Sequence, residues 1–173
     1  SDGTTAGNRT AFFLIGTFMA LWVILYGLIQ ANAPRILRAK TRPTDELIKV
    51  ARGWAWRLAA VPAILTGAAI IAGEPQLWLT ISLVAGLLIF GIVFALNSSL
   101  HSYLILSFTK AERVTLDVGF YYMANAAGRL AGTLLSGLTY QICGLPLMLG
   151  VAAFMVALSA IMVGLLKPER SQP

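Results

Sequence analysis

From Leu77 to Phe108 the chain runs 32 residues without a charged side chain, and no other feature restricts its fold as tightly. As one helix at 1.5 Å per residue the run is about 48 Å long, against a bilayer hydrocarbon core of about 30 Å. It is expected to lie in lipid and to protrude, bend or tilt there. Four further apolar runs of spanning length accompany it. The five expected spans are Ala11 to Ala33, Trp56 to Gly73, Leu77 to Leu100 or beyond, Asp117 to Tyr140, and Leu145 to Leu166. The first is too long for a signal-peptide core and lacks a basic segment and a small-residue cleavage site, so it reads as a retained span. Composition agrees: 58% of residues are hydrophobic and 12% charged, where soluble domains hold about half and a quarter. The expected class is an all-α integral membrane protein.

The net charge of +6 does not point to nucleic acid, because its distribution is that of a membrane topology. Arg35, Arg38, Lys40, Arg42, Lys49 and Arg52 fall between the first two spans, with Arg57 at the start of the second. Lys110 and Arg113 follow the third span, and Lys167 and Arg170 follow the fifth. The tight turns Glu74-Pro75-Gln76 and Cys143-Gly144-Leu145-Pro146 carry no cation. All basic connections therefore share one side, which the positive-inside rule assigns to the cytoplasm of a bacterial inner membrane. The N-terminus of this piece is then outside and its C-terminus inside. An odd span count with an outside start, and Ser1 in place of an initiator Met, fit a partial C-terminal membrane domain over residues 1–173. Its missing N-terminal half and one further helix are the expected partners. Cys143 is the single cysteine, too few for a disulfide framework, and is expected to be inert buried packing.

Chemistry concentrates on the fourth span. Arg129 lies near its middle, where a lipid-facing arginine costs from about 2.5 kcal/mol on insertion scales to more than 10 in simulations of isolated helices. At 100° per residue, Tyr122, Asn125, Arg129, Thr133, Ser136 and Tyr140 fall within roughly an 80° sector, a polar stripe along the helix. Arg129, Asn125 and Tyr122 are candidates to line a watered pathway and bind an anionic substrate; the alternative for Arg129 is a structural ion pair. Thr133 and Ser136 read as interhelical hydrogen bonding, and Ala124, Gly128 and Gly132 as a close-packing seam. The polar block Asn97 to Ser102 begins about 30 Å along the third run, near the cytoplasmic face, with Tyr103 to Phe108 packing on neighbouring helix ends. Asn97 is a further substrate-binding candidate. His101, the only histidine, is either a proton-coupling residue or a hydrogen-bonded structural one. Asp117 is expected to start the fourth helix, where a carboxylate meets the positive end of the dipole. No phosphate-binding loop, dinucleotide fingerprint, metal-spaced cluster or nucleophile elbow occurs, so no catalysis, cofactor or metal is expected.

Three segments carry a resemblance: Ala20-Leu-Trp-Val-Ile-Leu-Tyr-Gly-Leu-Ile-Gln-Ala-Asn-Ala-Pro34, Asn97-Ser-Ser-Leu-His-Ser-Tyr-Leu-Ile-Leu106, and the helix from Asp117 to Tyr140. Together they resemble the C-terminal half of the ArsJ-type organoarsenical efflux transporters of the major facilitator superfamily. The five spans are similar to helices 8 to 12 of that twelve-helix fold. The resemblance implies export of 1-arseno-3-phosphoglycerate in arsenate resistance, with a functional link to glyceraldehyde-3-phosphate dehydrogenase. Export of another sugar phosphate or of a drug-like compound keeps the fold and changes the substrate. A non-transporting membrane scaffold, with the stripe against a partner helix, is the reading from a different class.

Overall fold

The computed structural model describes residues 2–38, 41–109 and 111–166, with side chains from Arg9 onward except Ala111. The described residues are helical apart from short connections. Helix α1 spans Asp2–Leu37, α2 Thr44–Ala72, α3 Leu77–Phe108 and α4 Val114–Gly164, with a 3-10 turn at Ala111–Arg113 before α4. Four helices are long and apolar enough to cross a membrane. Phe12, Ile64, Ile71 and Leu77 are all at least 70% exposed, and such side chains find their solvent in acyl chains. Lys40, Lys110, Lys167 and Arg170, which helped to assign the basic side, lie outside the described residues.

The helices outrun the apolar spans that identify them. α1 continues through Pro34 to Leu37 and ends at Arg38, whose φ of 50° is left-handed; the Thr41 N–H and hydroxyl both donate to its carbonyl. α2 begins twelve residues ahead of Trp56, at Thr44. Its first turns are amphipathic: Leu47, Ile48, Ala51 and Ala55 are buried while Glu46, Lys49 and Arg52 are exposed. The expected basic loop is thereby corrected, because Lys49, Arg52 and Arg57 sit on a helix. The turn after α2 is as short as expected. Gly73 adopts φ 65° and donates to the Ala69 carbonyl, the left-handed helix end that glycine permits. The Trp78 indole N–H then donates to the Gln76 side-chain oxygen as α3 begins.

Small residues set the packing, as lipid offers no hydrophobic drive for helices to associate. On α2 the buried positions Leu47, Ala51, Leu58, Leu65, Ala69 and Ala72 recur at helical spacing. α2 lies antiparallel to α3, with Leu65 over Gly86 and Leu79 beside Ala69 and Ala72. α1 runs parallel to α3: Trp22 covers Gly91, its indole N–H donates to the Leu87 carbonyl at 2.9 Å, and Tyr26 stacks on Phe94 at 5.8 Å. At the far end of these helices Ala33, Leu37, Leu47, Ala51, Leu100 and Leu104 form the main core, onto which Tyr103 and Phe108 pack as expected.

α4 is interrupted. Cys143 (φ −138°, ψ 20°) and Gly144 (φ 69°, ψ −158°) leave helical geometry. Gly132, Ser136 and Thr139 share a cavity of about 250 Å³ with Met148, Ala152 and Met155. A straight helix would hold Gly132 and Met155 about 35 Å apart, so the chain folds back at the glycine and the two arms face each other. The second arm runs along α2, Gly150 beside Thr66 and Gly164 beside Arg52. Cys143 is exposed at this bend, which corrects its expected burial: the residue sits where the helix breaks, outside the packed arms. Asp117 does not start α4 either. The helix begins at Val114 with Arg113 as N-cap, and Asp117 stands in its first turn, where the dipole still favours a carboxylate.

Candidate functional site

A helix in lipid has to satisfy its polar side chains internally, and most hydroxyls here do so on their own helix. Thr66, Ser82, Ser102, Ser107, Thr133 and Thr139 each donate to the carbonyl four residues earlier, at 2.7 to 3.1 Å. Thr133 therefore bonds the Arg129 carbonyl instead of reaching across helices as expected. Ser136 faces the cavity between the two arms of α4.

The remaining stripe residues turn outward. Arg129 and Asn125 are exposed, and Tyr122 and Tyr140 are 67% and 56% exposed. Arg129 stands about 22 Å along the first arm from Val114 and about 21 Å before the bend, the middle of a membrane-length helix. No hydrogen bond or ion pair engages its guanidinium among the described residues. The expected seam beside it is also open: a Cβ at Gly128 or Gly132 would meet no atom within 4 Å. The close approaches in this bundle are instead at Gly86 and Gly91 on α3, where a Cβ would come within 2.7 Å of Leu65 and Trp22.

Asn97 is separated from this group by burial. It is 7% exposed on α3, and its Oδ1 is a buried acceptor with no hydrogen-bond partner among the described residues. One turn on, the Nδ1 of half-buried His101 lies 2.8 Å from the Asn97 carbonyl. A carbonyl only accepts, so in this hydrogen bond Nδ1 carries the hydrogen. His101 and Asp117 line one open cavity of about 380 Å³ between α3 and α4, together with Leu104, Phe108, Phe120 and Leu166. The sequence candidates thus fall into two places: Tyr122, Asn125 and Arg129 on the outer face of α4, and Asn97 with His101 within the bundle. Replacing Asn97 by the similarly sized Leu removes an orphaned polar group, so Asn97→Leu is expected to raise stability by about 1 kcal/mol. Equilibrium unfolding in mixed micelles checks this; a loss of stability would mean that the amide oxygen is engaged.

Sequence reasoning passed over a third place. Lys49, Arg52 and Trp56 line a cavity of about 620 Å³ with Asp45, Ile48 and Gly164, where α2 meets the end of α4. The available signal was their i, i+3, i+7 spacing, which puts all three on one helix face; treating the cations as loop residues hid it. Comparison of the chain with protein-family models, with curated proteins and with solved structures finds no match.

Proposed function

We propose that this chain belongs to a secondary membrane transporter that exports an organic anion, with Arg129 as the substrate countercharge and Asn125 and Tyr122 as its polar neighbours. One observation carries the reading: a cation at mid-length of an apolar helix, presented outward on a polar stripe. Such a residue in lipid is costly unless it faces a watered cavity or an anion. The other side of that cavity is formed by helices packed against this face, as in transporters whose site lies between two repeats near the midplane. The resemblance of the three segments to organoarsenical exporters makes 1-arseno-3-phosphoglycerate the preferred substrate, since a phosphorylated, arsenylated acid is strongly anionic. The open position of Gly128 favours a second reading, a scaffold that receives a partner helix beside Arg129. Transport that depends on Arg129 separates the two.

The chain crosses a bacterial inner membrane five times, with both arms of α4 as spans, the N-terminus of α1 outside and the end of α4 in the cytoplasm. The bend at Cys143–Gly144 and the cavity shared by the two arms support the count. Arg38 and Arg113 at one end, opposite Gly73 at the other, support the orientation. Native Cys143 is a ready reporter because it is exposed. A membrane-impermeant maleimide applied from outside is expected to label Cys143 and, in a Cys143→Ser background, Gln76→Cys, but to leave Glu112→Cys untouched. Labelling of Cys143 and Gln76→Cys from opposite sides would reduce α4 to a single crossing.

A further inference from the structure

The cavity between the start of α2 and the end of α4 has two chemically different walls. Lys49 and Arg52 supply two cations, while Ile48, Trp56 and Leu166 supply apolar surface. The Arg52 stem lies against Gly164, whose missing side chain leaves it room: a Cβ there would be 3.1 Å from the Arg52 Cδ. One turn deeper, the Arg57 guanidinium sits 5.0 Å from the centre of the Trp54 ring, a cation held by an aromatic face. Depth follows from the helix itself. Measured back from Ala72 at 1.5 Å per residue, a hydrocarbon core of about 30 Å ends near Arg52. Lys49 and Arg52 therefore stand at headgroup level, and Trp56, 45% exposed, stands close to the interface where tryptophans gather. Exposed apolar side chains also stand on both helices, Ile64 on α2 and Leu158 and Met162 on the second arm of α4.

We propose that this cavity is a binding site for an anionic phospholipid of the cytoplasmic leaflet, its phosphate between Lys49 and Arg52 and its acyl chains along the exposed faces of α2 and the second arm of α4. A free phosphate shares the charge but has no use for the apolar wall. Charge complementarity at headgroup depth and the exposed apolar side chains of both helices favour the lipid. Asp45, which also lines the cavity, opposes the anion.

The test uses the 173-residue chain in neutral detergent, titrated with short-chain phosphatidylglycerol or phosphatidylcholine while native mass spectrometry counts retained lipid. Phosphatidylglycerol is expected to bind first and more tightly. Lys49→Gln and Arg52→Gln each weaken it roughly fivefold, the effect of one interfacial cation, and Asp45→Asn strengthens it. Gly164→Leu, which fills the space beside Arg52, weakens it without removing a charge. Arg38→Gln with Arg42→Gln, at the same end of the bundle but outside the cavity, leaves it unchanged. An equal loss from that second pair assigns the preference to diffuse charge and overturns the site. Loss of the preference in excess inorganic phosphate at constant ionic strength makes the cavity a soluble-anion site, and absence of any preference in the unmodified chain removes it. Transport is not read, so the result stands apart from the role of Arg129.

Discussion

Arg129→Ala is expected to cut organic-anion export by about a hundredfold while leaving the protein in the membrane at equal or greater abundance. Two charge-assisted hydrogen bonds from a guanidinium to a phosphate or arsenate, at about 1.5 kcal/mol each, account for that factor. Abundance is the discriminating half. Arg129 is exposed with no partner for its guanidinium among the described residues, so its removal strands no buried carboxylate and relieves an insertion cost of about 2.5 to 3.5 kcal/mol. A structural ion pair would behave in the opposite way, since deleting one member of a buried pair costs about 3 to 5 kcal/mol. Arg129→Lys should keep part of the transport, because lysine keeps the charge but loses the planar fork that holds two oxygens at once. The measurement is uptake into inverted vesicles that carry the chain with the helices completing the transporter. They are supplied with arsenate, glyceraldehyde 3-phosphate and the dehydrogenase, and protein is quantified alongside. Normal uptake by Arg129→Ala at matched abundance removes Arg129 from the site. Disappearance of both variants from the membrane makes it a structural residue.

What was legible in the residues, and what was not, follows from the kind of pattern each feature has. Leu77 to Phe108 has no charged residue, so one long helix could be read directly, and α3 has those bounds. The start of α2 could not, because an apolar-run reading sees only segments apolar on all faces. Leu47, Ile48 and Ala51 alternate there with Glu46, Lys49 and Arg52, and the buried side appears only when α3 and the end of α4 are packed on it. Glycines show a similar gap. Gly128 and Gly132 have seam spacing, yet close approach needs a partner side chain, and the partners Trp22 and Leu65 lie opposite Gly91 and Gly86. The polar stripe of α4 was visible because six polar residues share one sector of a helix. Asn97 was a candidate as the start of the polar block Asn97 to Ser102, and only the fold shows that its amide oxygen is buried without a hydrogen-bond partner among the described residues. His101 was visible as a lone titratable group; its hydrogen on Nδ1 and its cavity shared with Asp117 depend on contacts between helices.

Gly91→Leu is expected to release α1 from the bundle, at a cost of about 2.5 to 5.5 kcal/mol. The new Cβ would lie 2.7 Å from Trp22 Nε1, 2.9 Å from Cε2 and 3.0 Å from Cζ2, a clash with a rigid ring and not with the end of a flexible chain. Trp22 is held in place from two sides: its N–H donates to the Leu87 carbonyl at 2.9 Å, and its ring stacks on Tyr26 at 5.8 Å and 12°. Overpacking costs about 1 to 3 kcal/mol, and displacing the indole adds about 1 for the hydrogen bond and 0.5 to 1.5 for the stack. Little else compensates, because through most of its length α1 is exposed and its contacts concentrate on α3 and the core near Ala33 and Leu37. Gly128→Leu is the matched control, the same change in an open position, and it should leave stability unchanged. Trp22→Leu combined with Gly91→Ala should lose less than the two single changes summed, with a coupling of about 1 kcal/mol or more, as expected for residues in contact. Circular dichroism during unfolding by sodium dodecyl sulfate reads all five variants. If Gly91→Leu and Gly128→Leu unfold at the same detergent fraction, Trp22 does not pin α1 to α3, and α1 is held to the bundle only by its end near Ala33 and Leu37.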